Sequence, residues 1–164
     1  MVIASGENVD SQPPKVAKKM TFTPRNPSFE KVVREKLTTN YFSTHLGFIM
    51  DSVEPGTVEG HLDLQPHHLQ QMGFVHGGVT ATLGDIVTGF AAYSLVPEGS
   101  GVVTVELSTS YLNPAMGPII YARGWVIKEG QKLYFCEAEI WVMDEKKDKK
   151  LTAKVTAIMA LVGF

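Results

Sequence analysis

The densest concentration of residues able to do chemistry is the run Gln70-Gln71-Met72-Gly73-Phe74-Val75-His76-Gly77-Gly78, with Asp85 following it. Two adjacent glycines at a helix start let another group approach the backbone, and the first-turn N–H groups of a helix have no intrahelical acceptor. Such groups, at the positive end of the helix dipole, can polarise a carbonyl or hold an oxyanion. Asp85 is the only charge between His76 and Pro97. A lone acid in a charge-free helix is costly unless it is paired, and that cost favours a functional role. A bland alternative remains at this level: Gly77 and Gly78 as turn glycines, His76 as a loop residue, and Asp85 paired with a backbone N–H. At 1.5 Å per residue, His76 and Asp85 are about 13 Å apart along a helix, so they cannot meet within one chain. If they serve one site, a second subunit must bring Asp85 opposite the other helix start.

The element that carries Asp85 reads as a helix over Val79 to Leu95, ended by Pro97. Val79, Leu83, Ile86, Val87 and Phe90 form one stripe, and Ala81, Gly84, Asp85, Thr88, Gly89 and Ala92 form the opposite side. That small-residue side predicts burial on both faces, by the chain's own sheet and by another backbone. Two strands, Leu46 to Val53 and Thr57 to Leu64, precede the helix, separated by the turn signal Pro55-Gly56. Four more follow it, at Val102 to Leu112, Ile119 to Lys128, Lys132 to Met143 and Leu151 to Val162. A short amphipathic helix with Phe29, Val32, Val33 and Leu37 on one face opens the domain. One buried helix against an antiparallel sheet of about six strands is an α+β arrangement.

Residues 1–25 are polar, carry Pro13-Pro14, and hold four positive against two negative side chains. They read as a flexible N-terminal tail ahead of a single domain over 26–164. The whole chain of 164 residues carries a net charge of -2, which argues against a duplex nucleic-acid partner. No apolar run approaches the length of a membrane span, so no membrane insertion is expected. Cys136 is the only cysteine, which excludes an internal disulfide and points to a reducing, cytoplasmic compartment, with a mitochondrial address left open. His61, Asp63, His67, His68 and His76 fit no metal-ligand spacing, and no metal site is expected; His67-His68 reads as a solvated loop pair. Tyr111 and Trp125 are candidate pocket walls or core aromatics.

The pattern Q-x-x-G-x-V-H-G-G-x-x-x-x-L-x-D over Gln70 to Asp85, with Tyr111-Leu112-Asn113-Pro114-Ala115 downstream, resembles the hotdog-fold acyl-CoA thioesterases of the phenylacetyl-CoA (PaaI-like) branch. The resemblance covers about Leu46 to Leu161. It implies a central helix wrapped by a curved sheet, and a homodimer with a continuous sheet, often paired into a homotetramer, with active sites at the dimer interface. It further implies hydrolysis of an acyl- or aryl-CoA thioester, with no cofactor, coenzyme A being part of the substrate. By position Asp85 would be the catalytic nucleophile or base, Gly77 the donor to the thioester carbonyl, and Gln70 the group orienting the thioester or the water. His76 would hold the loop, and Thr104 would place the water. Alternation along the strand sets Glu106 with Thr104, Ser108 and Ser110, so Glu106 is either a partner for the site or a solvated strand residue; Glu106 and Ser108, with Gly78 beside Gly77, are the candidate substrate contacts. Lys128, Lys132 and Arg123 are available to the CoA phosphates. No Gly-x-Ser-x-Gly elbow occurs, and a thiolate leaving group needs little acid assistance. The rival readings are a hotdog hydratase or dehydratase, using His76 and Asp85 as base and acid, and a non-catalytic acyl-CoA-binding protein.

Overall fold

The computed structural model describes residues 21–143 and 148–163. The expected tail lies outside the described residues as far as position 20. Residues 21–25, assigned to it by composition, are seated on the domain. Phe22 packs against the core, and Arg25 donates to Glu129 Oε1 at 2.8 Å.

Helix α1 (Phe29–Thr39) is followed by a six-residue helix, α2 (Tyr41–Leu46), which the strand reading from Leu46 did not anticipate. Local capping explains it. The Asn40 side chain accepts from Ser43 N–H, and Gly47, at φ 84°, closes the far end in the left-handed conformation. The first strand therefore starts at β1 (Ile49–Glu54), paired with β2 (Thr57–Asp63). After a 3-10 turn (Pro66–His68) come α3 (Gly77–Tyr93), β3 (Ser100–Tyr111), β4 (Ile119–Glu129), β5 (Leu133–Met143) and β6 (Lys149–Gly163).

The six strands form one antiparallel sheet in the order β1-β2-β4-β5-β6-β3, with α3 lying across it. This is the hotdog arrangement expected from the sequence. Register shifts at Asp51, Val105, Ile127 and Thr152 each place an extra residue in one strand. Bulges of this kind bend a strand and raise its twist, so the sheet curls around the helix.

Small side chains set the distance between the two layers. A Cβ on Gly84 of α3 would lie 2.6 Å from Val155 Cγ2, and one on Gly124 of β4 would lie 2.6 Å from the Val87 carbonyl carbon. Gly84, Thr88 and Ala92, placed by periodicity on a face meant for a second backbone, are thus buried under the chain's own sheet. Only Ala81, Asp85 and Gly89 of that face stay half-exposed. The sheet has come closer than the sequence pattern implied because Gly84 and Gly124 allow it. Ser94 ties the far end of α3 to the β1–β2 turn, its hydroxyl accepting from Gly56 N–H at 2.7 Å and donating to the Ala91 carbonyl.

β3 sits at the sheet edge and runs for twelve residues. Among its side chains, Val103 and Val105 are exposed. The Gly124 contact gives a test of the packing account. Gly124→Ala should destabilise the fold by about 1–3 kcal/mol, since the added methyl meets helix backbone that cannot rotate away. Thermal melting should show a fall in Tm of several degrees, and an unchanged melt would contradict the close approach.

Candidate active site

The start of α3 accounts for all but one of its first-turn donors. His76 precedes the helix in an extended conformation, at φ -62° and ψ 136°, and its Nδ1 accepts from Gly78 N–H at 2.9 Å. The His76 carbonyl accepts from Val79 N–H at 2.9 Å and Thr80 N–H at 3.3 Å. Gly77 N–H alone has no acceptor among the described residues. It lies beside a cleft of about 340 Å³ walled in part by Gln70, Phe74, Thr80, Tyr111 and Asn113. A free donor at the positive end of a helix, facing open space, is the arrangement that polarises a carbonyl.

The loop that delivers this donor is held from behind. His76 N–H donates to the His68 carbonyl at 2.8 Å, and Gln70 N–H to the Phe74 carbonyl at 2.8 Å. Gln70 is half-buried at the cleft, its Oε1 3.3 Å from Met72 N. His68, read from sequence as solvated, is instead buried. Its Nδ1 accepts from Gln65 N–H at 3.0 Å, and Nε2 contacts the Leu46 carbonyl at 2.9 Å, which fixes the proton on Nε2. His67 beside it is exposed. No hydrophobic period marks a histidine that is buried by bonding both nitrogens to backbone, and for that reason the sequence hid it.

Asp85 lies eight residues further along α3, about 12 Å from Gly77 at the helical rise. Thr104 of β3 donates its hydroxyl to Asp85 Oδ1 at 2.7 Å. The second carboxylate oxygen has no partner among the described residues. Thr88, three residues further along α3, spends its hydroxyl on the Gly84 carbonyl at 2.7 Å. The site residues therefore fall into two groups. Gln70, His76, Gly77 and Gly78 gather at the helix start, and Asp85 with Thr104 stands two turns away.

Glu106 and Ser108 do not join either group. The bulge at Val105 pairs Thr104 with Met159 and Glu106 with Ile158, adjacent residues on β6 that face opposite sides. Parity is reversed beyond the bulge, so Glu106, Ser108 and Ser110 point away from α3, while Thr104 and Tyr111 point toward it. Trp125 also lies on the outer face, paired with Thr57 and Glu137, and is no wall of this cleft. Arg123 is on that face too, in an ion pair with Glu59 at 3.2 Å. Cys136 is buried, which pushes its thiol up to about 12 and removes it as a nucleophile.

Comparison with known proteins identifies the family. Residues 72–149 match the thioesterase superfamily model. Human acyl-coenzyme A thioesterase 13 is 30% identical over 115 residues, covering 69% of this chain and 81% of that protein. The chain belongs to the thioesterase superfamily. A Caenorhabditis elegans relative carrying an esterase name is 36% identical over 92 residues, and the match spans about half of each protein, 56% of this chain and 52% of the other. Among solved structures, a thioesterase family protein from Silicibacter pomeroyi superposes with a TM-score of 0.81 at 30% identity, over 83% of this chain and 99% of that one. The Escherichia coli PaaI protein shares the fold, with a TM-score of 0.73 at 18% identity over 83% of this chain and 94% of its own.

In this thioesterase the buried His68 makes the loop sensitive to acid. Burial lowers its pKa from 6.5, while the bond to the Leu46 carbonyl opposes that shift. The unfolded chain therefore takes up a proton before the folded one does. His68 costs no stability above about pH 6.5, and stability falls as pH drops from there through the lowered folded value. Tm measured against pH should decline below about pH 6.5, and less so in His68→Asn. Identical pH dependence in the two proteins would contradict the assignment.

Proposed function

We propose that this thioesterase hydrolyses acyl-CoA thioesters to free acid and coenzyme A, in sites shared between two subunits of a homodimer. The observation that carries the reading is the unpartnered Gly77 N–H at the start of α3, opening on a cleft, in a chain whose helix holds one oriented carboxylate. Gly77 N–H receives the thioester carbonyl oxygen and stabilises the charge that develops on it. Gln70, at the same cleft, orients the thioester. Asp85 from the partner subunit acts as base for water. Thr104 favours this role over direct attack, because its hydroxyl fixes Oδ1 while its oxygen keeps a lone pair for the water that Oδ2 deprotonates. The water oxygen bonds to the carbonyl carbon, the carbon–sulfur bond breaks, and CoA leaves as a thiolate that needs little acid assistance.

The β3 edge supports pairing. A long edge strand with exposed Val103 and Val105 is a surface that proteins normally cover, and edge-to-edge pairing about a two-fold axis continues the sheet. We read the setting as cytoplasmic, a reading supported by a lone cysteine that cannot form an internal disulfide. The hydratase reading finds less support, since His76 has committed Nδ1 to capping the helix.

Thiol release from short, long and aromatic acyl-CoAs tests the assignment. Asp85→Asn should lower kcat roughly a hundredfold or more with the fold intact. Gly77→Pro should do the same by deleting the one free donor, because proline suits the first helical position and His76 already has the extended backbone that proline requires before it. Absence of release from any thioester by well-folded wild type would overturn the reading.

A further inference from the structure

We propose that Tyr111 is a positioning residue that holds the Gly77–Gly78 peptide so that the neighbouring Gly77 N–H stays aimed at the thioester carbonyl. This inference rests on the thioester-hydrolysis reading. The Tyr111 hydroxyl donates to the Gly77 carbonyl at 2.8 Å. The N–H of the same peptide unit, that of Gly78, donates to His76 Nδ1 at 2.9 Å. One peptide plane is thus pinned at both ends by side chains.

The next plane toward the N-terminus, His76–Gly77, has its carbonyl held by Val79 and Thr80 N–H and its own N–H left free. Two successive glycines have no side chains with which to resist fraying, and a glycine-rich helix start has more conformational freedom to lose than any other. An external clamp is what keeps such a donor preorganised, which is the condition for it to stabilise charge without reorganising during the reaction.

Tyr111 is suited to be that clamp because its own backbone is fixed. It pairs with Ala153 of β6, Leu112 N–H donates to the Thr152 carbonyl at 2.8 Å, and Asn113 Nδ2 donates to the Leu151 carbonyl at 3.0 Å. The ring also rests on Gly77, where a Cβ would lie 3.2 Å from the hydroxyl oxygen. Within one chain the side chain is 57% exposed, and Tyr111→Phe keeps the ring, so removing the hydroxyl opens no cavity.

The test is Tyr111→Phe, which keeps the ring and deletes the bond. In steady-state thiol release, kcat should fall about five- to tenfold, the worth of one hydrogen bond, with KM unchanged and Tm lowered by no more than a few degrees. In amide hydrogen exchange, Gly78 N–H should lose protection by a similar factor, and the Gly77 carbonyl 13C resonance should shift. A rise in KM with kcat unchanged would make Tyr111 a substrate wall and overturn the proposal, as would unchanged Gly78 exchange. If wild type released no thiol, the hydrolysis reading would fall and the aiming role with it. The exchange arm would then separate that failure from a failure of the clamp itself.

Discussion

A straight helix cannot bring together two of its residues that are eight positions apart, and the proposed site is arranged around that constraint. Gly77 N–H and the Asp85 carboxylate are separated by about 12 Å of rise along α3. Each is prepared separately: the donor by a loop anchored on His68 and capped by His76, the acid by the Thr104 hydroxyl from the edge strand. Neither group has the other within reach in one chain. An exposed β3 edge beside the half-exposed Asp85 is the complementary feature, and in the proposed dimer two-fold pairing there would supply to each helix start the acid it lacks.

The sheet makes both preparations with the same strand. β3 reaches α3 at Thr104 and again at Tyr111, and the bulge at Val105 allows both to face the helix. Without it, residues seven apart would fall on opposite faces. Glycines 84 and 124 seat the helix close enough for short side chains to span the gap. Packing and chemistry are here one problem, since the small residues that let the layers approach also fix how far a hydroxyl must reach.

Much of this could be read from the residues. The helix carrying Asp85 and the six strands follow from periodicity, and glycine placement and the lone charge single out Gly77 and Asp85; the roles expected of His76, Gly77 and Asp85 come from the family resemblance. What escaped has identifiable physical causes. Alternation put Glu106 and Ser108 with Thr104, and a one-residue bulge, which no side-chain pattern announces, turned them to the other face. α2 was hidden because an Asn40 cap and a Gly47 stop define a six-residue helix too short to show a period. That half of the small-residue face of α3 is taken by its own sheet escaped notice because Gly124, which with Gly84 allows the close approach, lies far away in sequence. His68 escaped because a histidine is buried by its bonds rather than its hydrophobicity.

The claim that donor and acid belong to different subunits is tested most directly by complementation. Asp85→Asn and Gly77→Pro chains, given different tags, co-expressed and purified as the hybrid dimer, place both lesions in one site and leave the other intact. By two-fold symmetry the hybrid should recover about half of the wild-type rate, far above either inactive parent. A hybrid as inactive as its parents, with the dimer intact, would show that each chain must supply both groups itself and would contradict the account.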